Sequence, residues 1–438
     1  MFRAVDIIQK KRDGSKLTTE EIDFFIKGFS TGKIPDYQMS AMLMAIFFSG
    51  MNEREIVDLT MVMARSGEMV NLSSISGIKV DKHSTGGVGD TTTLVLAPLM
   101  AAIGVPIAKI SGRGLGFTGG TLDKYEAIPN FAVEMSESEF VRSVQEIGVA
   151  VIGQSKALVP SDHLLYALRD VTATVDSIPL IASSVMSKKI ASGAEALVLD
   201  VTVGDGAFMK NIDEARKLAK MMVRIGCLAR RNTVTVISDM NEPLGQAVGN
   251  ALEVVEAIET LKGDGPKDLE ELVFALGSQM ALLAKVVNSA EEAVKQMRLA
   301  INNGYALEKF KQMIINQKGD PLVIEKPKCL LTAPYKINYL AKQSGYIEKI
   351  KTEEIGLLAM KLGAGRKVKT DVIDPSVGFY FHKKRGDKIE KGKAILTIYA
   401  NNYSFTDIMK KLDRCFKIGK KKIKKKLIYE VIGENDMK

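Results

Sequence analysis

Two glycine-rich stretches between Ile78 and Glu126 constrain the fold more than any other feature of the chain. The first, KHSTGGVGDTTT, runs from Lys82 to Thr93, and the second, SGRGLGFTGGT, from Ser111 to Thr121. The apolar run between them reads as a helix and then a strand, so each predicted loop sits where a strand hands over to a helix. There glycines turn backbone N–H groups inward, and a helix N-terminus adds unsatisfied donors and a positive dipole end. Lys82 and Lys109 supply full charge; Ser84, Thr91, Thr92, Thr93, Ser111 and Thr121 supply hydroxyls. One such loop would be explained equally by turns that need φ > 0 and by hydroxyl caps. Two with the same chemistry, one strand and helix apart, predict an anion site.

Neither loop has the Gly-Lys-Ser/Thr ending of a Walker A loop, which argues against nucleoside triphosphate hydrolysis. The second loop contains a G-x-G-x-x-G match at Gly114, Gly116 and Gly119, but no acidic residue ends a following strand as a dinucleotide site requires, so the match is read as chance.

Around these loops the pattern is strand, loop, helix, repeated: VPIAKIS, a helix from EFVRSVQEIG with a Ser136/Glu139 capping box, VAVIG, ALVLDVTVG, IDEARKLAKMMVRIG and TVTVISDM. Apolar strands alternating with amphipathic helices predict a mainly parallel sheet covered on both faces, with ligands beyond the carboxyl ends of the strands. Before it, Thr18/Glu21, Pro35-Asp36 and Asn52/Glu55 start three helices whose Met39, Met42, Met44, Met61 and Met63 read as core, and 71–77 reads as a hinge. The segment 161–193 interrupts the alternation and reads as helical. In it Ser184 and Lys188 share a helix face, with Arg169 ending the preceding helix; on residue type alone these are ordinary helix-surface polarity. Helices from about Asn250 to Lys318 follow, and after Lys336 short strands and Gly-Asp or Lys-Gly turns predict a β-rich unit, ending in a Lys-rich helix and strand. His163 reads as a capping or surface residue and His382 as structural or solvent-facing.

The net charge of +9 comes largely from that end, where Lys417, Lys420, Lys421, Lys422, Lys424, Lys425 and Lys426 lack interleaved aromatics, so a solvated surface is read rather than a nucleic-acid or membrane site. Three dispersed cysteines give no disulfide or zinc pattern, and no run approaches the roughly 20 apolar residues of a membrane span, so a cytoplasmic protein is expected.

The stretch closely resembles the signature of the thymidine and pyrimidine-nucleoside phosphorylases, K-H-S-T-G-G-x-G-D followed by S-G-R-G-L-G-x-T-G-G-T-x-D-K-x-E, and the similarity runs from the first helices to near the C-terminus. Phe117 stands where these enzymes usually carry His, and Tyr125 where they carry an aliphatic residue, changes that bear on the pocket wall. The fold class implied is α/β: a small discontinuous all-helical domain (1–70 and 161–193), a large mainly parallel α/β domain (71–160 and 194–335), and a β-rich, barrel-sandwich-like α+β subdomain (336–438). The resemblance further implies reversible phosphorolysis of uridine, deoxyuridine and thymidine in a cytoplasmic homodimer. Inorganic phosphate is the co-substrate, and no organic cofactor is called for. Its phosphate set is Lys82, His83, Ser84, Thr93, Lys109, Ile110, Ser111 and Thr121; its base set is His83, Arg169, Ser184 and Lys188, of which His83, Arg169 and Lys188 are catalytic. Gly89, Thr91, Leu244, Ala247 and Glu256 match a potassium site, an assignment resting on resemblance alone. Two alternatives remain at this point: an anthranilate-type phosphoribosyltransferase, which would need Mg²⁺ and acidic ligands not found in the sequence, and a non-catalytic phosphate or nucleoside binder.

Overall fold

The computed structural model describes residues 2–114, 119–368, 370–403 and 405–437. Four helices open the chain: α1 (Ala4–Arg12), α2 (Thr19–Ser30), α3 (Asp36–Ser49) and α4 (Glu53–Ala64). Thr18 and Asn52 cap α2 and α4 in the expected reciprocal boxes with Glu21 and Glu55, each worth about 1 kcal/mol.

The alternating part follows as β1 (Val80–Ser84), α5 (Thr92–Ala102), β2 (Ile107–Ser111), α6 (Thr121–Tyr125), α7 (Glu137–Ile147) and β3 (Val149–Gly153). Helices α8 (Pro160–Val171) and α9 (Ile178–Ala191) interrupt it, before β4 (Ala196–Val203), α10 (Ile212–Leu228) and β5 (Asn232–Asp239). Next come β6 (Ala247–Val248), α11 (Asn250–Leu261), α12 (Lys267–Leu283), α13 (Ala290–Asn302), α14 (Tyr305–Asn316) and α15 (Leu322–Glu325).

Strands β1, β4 and β5 pair in parallel, and so do β2 and β3, but β2 is not laddered onto β1. At that seam the carbonyl of Lys82 accepts from the Lys109 ammonium, and the carbonyl of Ile110 from Lys189 at 3.0 Å. Asp81 balances both lysines, at 3.1 Å from Lys109 and 2.7 Å from Lys189. Buried charge thus satisfies backbone acceptors that face the seam.

Strand periodicity decides which layer each residue joins. Ala196 and Val198 of β4 face a core built with α5 and α11 to α14, whereas Leu197, Leu199 and Val201 face α4, α9 and α10. Likewise Val149 and Val151 of β3 join the first core, while Ala150 and Ile152 join the bundle core of Phe25, Met39, Leu43 and Leu165. The segment 161–193 therefore packs back on the N-terminal helices, and the Ser183 hydroxyl donates to the Ile56 carbonyl at 3.4 Å. The expected hinge at 71–77 is made of turns anchored in the bundle core by Leu72 and Ile75.

The β-rich end contains β7 (Tyr335–Leu340), β8 (Gly345–Ile350), α16 (Thr352–Ala359), β9 (Gly378–Phe381), β10 (Lys388–Ile389), β11 (Ala394–Ala400), α17 (Phe405–Leu412) and β12 (Phe416–Gly419). Two antiparallel sheets, β6-β9-β11-β7 and β10-β8-β12, enclose its core. The Lys-rich run is not helical as expected. Residues 421–426 have no regular secondary structure, and β13 (Ile428–Ile432) adds an antiparallel edge to β5. Lysines at 420/424, 421/425 and 422/426 would repel across one helical turn.

Candidate active site

Strands β1 and β2 both end at the same side of the sheet, in Ser84 and Ser111, and their loops lead to α5 and α6. Gly86 (φ 99°) and Gly89 (φ 75°) take left-handed conformations in the first loop. Lys82, His83, Ser84, Thr93, Lys109, Ser111 and Thr121 line a cleft of about 380 Å³, and Arg169, Ser184 and Lys188 line its other side. The predicted phosphate and base groups thus share one cavity, apart from Ile110, whose side chain is buried in the bundle core.

The side of the cleft formed by the glycine loops is densely charged. Lys82 bonds the Thr92 hydroxyl and lies 3.5 Å from Asp90. Burial, with Lys189 and Lys82 nearby, pulls the Lys109 ammonium down to about 7 despite Asp81. Burial works to raise the Asp90 carboxyl, but Lys82, Lys124 and the Thr92 and Ser84 hydroxyls outweigh it and hold Asp90 well below the usual range. Asp200, buried on β4 beside Ser84, is pushed up to about 6 by burial and by Asp90. His83 is half-buried, and its ring has no hydrogen bond to protein among the described residues. Burial and the surrounding lysines hold it well below its ordinary value, so the imidazole is neutral at pH 7.

On the other side, Lys188 donates to the Ser184 hydroxyl at 2.8 Å, as their one-turn spacing predicts, and to Asp162 at 2.6 Å. Three of the five N–H groups of Arg169 are engaged, with the carbonyls of Thr174 (3.2 Å), Val175 (2.6 Å) and Leu180 (3.2 Å), leaving two for a ligand. The Tyr166 ring lies 5.8 Å from Arg169 and 5.9 Å from Lys188 and forms part of the wall.

Behind the first loop, a Cβ on Gly89 would meet the Leu244 carbonyl at 2.6 Å and the Ala247 carbonyl at 2.9 Å. The Thr91 hydroxyl donates to the Gly89 carbonyl at 3.3 Å. Glu256 is buried; its Oε1 accepts from the N–H groups of Gln246 and Ala247, and its Oε2 has no partner among the described residues. Burial pushes this carboxyl up to about 8.

The sequence reading passed over Asp162, Tyr166, Asp81, Asp200 and Lys189. A signal existed for the first two, since 162, 166 and 169 fall at i, i+4 and i+7 on one face of α8. Tyr125 is a correction. It is no pocket wall but lies fully buried, stacked on Phe131 at 5.0 Å. Phe117 lies outside the described residues. His382 is exposed and bonds Thr397 at 2.8 Å, in keeping with its structural reading.

Residues 76–307 match the family model described as glycosyl transferase family, a/b domain; 5–67 match the helical bundle domain of the same family. Residues 346–419 match the pyrimidine nucleoside phosphorylase C-terminal domain. Pyrimidine-nucleoside phosphorylases of Staphylococcus aureus strains N315 and USA300 are each 59% identical over 433 residues, covering 99% of this chain and 100% of theirs. The crystal structure of anthranilate phosphoribosyltransferase from Thermus thermophilus superposes with a TM-score of 0.59 at 18% identity, over 72% of this chain and 100% of that one, a likeness of fold.

Proposed function

The chain belongs to the pyrimidine-nucleoside phosphorylase family, and from that premise we propose how its cleft works. The enzyme is a pentosyltransferase that carries out reversible phosphorolysis of pyrimidine nucleosides. Phosphate oxygen attacks C1′, the bond from C1′ to the base nitrogen breaks, and its electron pair leaves with the base. The barrier comes from positive charge on the sugar and negative charge on the base, so positioning and hydrogen bonding suffice without a protein nucleophile.

In this reading Lys82, Ser84, Thr93, Lys109, Ser111 and Thr121 hold phosphate, with the Ile110 backbone beside them. Arg169, Ser184 and Lys188 hold the base carbonyls and N3, and neutral His83 donates a hydrogen bond to O2 as charge develops there. The observation that carries it is the single cleft lined by both sets. The anthranilate-type alternative retains only a fold-level likeness. Substrates are uridine, deoxyuridine and thymidine. The test is spectrophotometric release of base from each, with and without phosphate; equal rates in both would overturn the reading.

The cluster at Gly89, Thr91, Leu244, Ala247 and Glu256 suits a monovalent cation, because carbonyl and hydroxyl oxygens converge there beside a buried carboxylate oxygen that lacks a donor. Potassium there would supply charge that keeps the Leu244 to Ala247 turn against the first glycine loop. A homodimer through the helical bundle is supported by α3, which is apolar nearly all round. Met39, Met42, Leu43 and Ile46 face the bundle core, while Tyr37 and Phe48 are 73% and 80% exposed. Among the described residues no helix is long and apolar enough to cross a membrane, and a cytoplasmic location belongs to the same proposal.

A further inference from the structure

The described ends of the second glycine loop converge on one carboxylate. Gly114 N–H donates to Asp123 Oδ2 at 2.7 Å, and Gly120 lies so close that a Cβ there would run into both Gly114 N and Asp123 Oδ2. Asp123 sits two residues after Thr121, in the first turn of α6, and is buried. Its other oxygen is held from far along the chain: Arg366 Nη1 donates to Asp123 Oδ1 at 2.8 Å and to the Gly114 carbonyl at 3.3 Å. Arg366 is itself fixed, since its Nε donates to the Asp371 carbonyl at 3.1 Å and the Asp371 carboxylate accepts from Lys367 and Val368 N–H groups.

This is not a solvated surface pair. The Arg366 side chain is only 13% exposed and that of Asp123 1%, so the attraction is weakly screened and the guanidinium fork is held in one geometry. The other cation near Asp123, Arg113 at 3.6 Å, is engaged with Glu126 and cannot stand in for a donor that spans both Asp123 and Gly114. Ser111 and Thr121, cleft hydroxyls among the described residues of this loop, flank the braced segment.

We propose that Arg366, contributed by the C-terminal unit, is a positioning residue for the phosphate subsite. It acts through Asp123 and the Gly114 carbonyl to set the loop from which Ser111 and Thr121 reach phosphate. The inference rests on the reading of that loop as a phosphate cradle.

The test is initial-rate kinetics of Arg366→Met and Arg366→Lys, varying phosphate and uridine separately, with thermal melts alongside. Misplacing a binding group slightly can cost up to about a hundredfold, so the phosphate KM of Arg366→Met is expected to rise roughly ten- to a hundredfold. Arg366→Lys, which keeps the charge on Asp123 but cannot span to Gly114, is expected to fall between it and the parent. The uridine KM should stay close to that of the parent in both, while the melting midpoint of Arg366→Met falls because the buried Asp123 loses its counter-charge. An unchanged phosphate KM would overturn the proposal. So would a parallel rise of both KM values, which a mere tether would produce. Should Arg366→Met not fold, Arg366→Lys alone decides by the same split. A parent enzyme that releases base without phosphate would instead overturn the functional reading.

Discussion

The Lys188 ammonium lies 2.6 Å from Asp162 Oδ2, across from one helix of the cleft wall to the other. Asp162 is buried while Lys188 remains 26% exposed, so the carboxylate anchors the ammonium without removing it from the cleft. If Lys188 donates to the departing base as proposed, Lys188→Ala removes that charged donor, and turnover should fall by at least about 10² to 10³ with the circular dichroism spectrum retained. Asp162→Asn leaves the ammonium but loosens it. Its uridine KM should rise with little change in phosphate KM, and equal effects on both substrates would argue that Asp162 serves only packing.

Phosphate capture should weaken with rising pH. Lys109 titrates at about 7 in the free protein, far below an ordinary lysine, because it is buried. An anion favours the charged form, so kcat/KM for phosphate should decline above about pH 7, approaching tenfold per unit. The same depression means the unfolded chain binds a proton between pH 7 and its ordinary value that the folded chain does not, so this group's contribution to stability rises with pH in that window. Lys109→Arg keeps its charge and should lose the decline. A pH profile of kcat/KM for both proteins checks this.

Potassium should stabilise the fold through Glu256. Comparing melts in potassium chloride and choline chloride at equal ionic strength, a cation at a hundredfold its Kd adds about 2.7 kcal/mol. The raised Glu256 carboxyl, at about 8, holds its proton in the folded state from its unfolded value upward, a contribution to stability lost as pH rises through 8. Because a cation binds the ionised form, its effect should be larger at pH 8.5 than at 6.5. Glu256→Gln should show equal midpoints in both salts.

Phe48→Glu places a charge on the exposed apolar side of α3, where it cannot disturb the buried side. Sedimentation should show the parent as a dimer and the variant shifted toward monomer, with secondary structure unchanged. A parent that sediments as a monomer would refute the bundle interface.

Much of the site was legible because its signals are local. A capping box spans three residues, as at Thr18 and Asn52; Ser184 and Lys188 are one turn apart; and each glycine loop follows directly on its strand. Asp162 was missed although its helix face was readable, since nothing in its own segment says that α9 will bring Lys188 against it. The Lys-rich end was misread because a helix was assigned to like charges that would repel across each turn, whereas the run is irregular and pairing with β5 begins only at Ile428.

By itself the sequence determined the two glycine-rich turns, the helices with their caps and the alternation that demands a covered parallel sheet, since glycine backbone freedom, capping and side-chain periodicity act within a few residues. Only the tertiary structure decided that Lys189 and Lys109 share Asp81, that β13 closes the sheet edge, and that Arg366 reaches Asp123. Those partners lie far apart along the chain, and packing brings them together where water is excluded and each buried charge needs its counterpart.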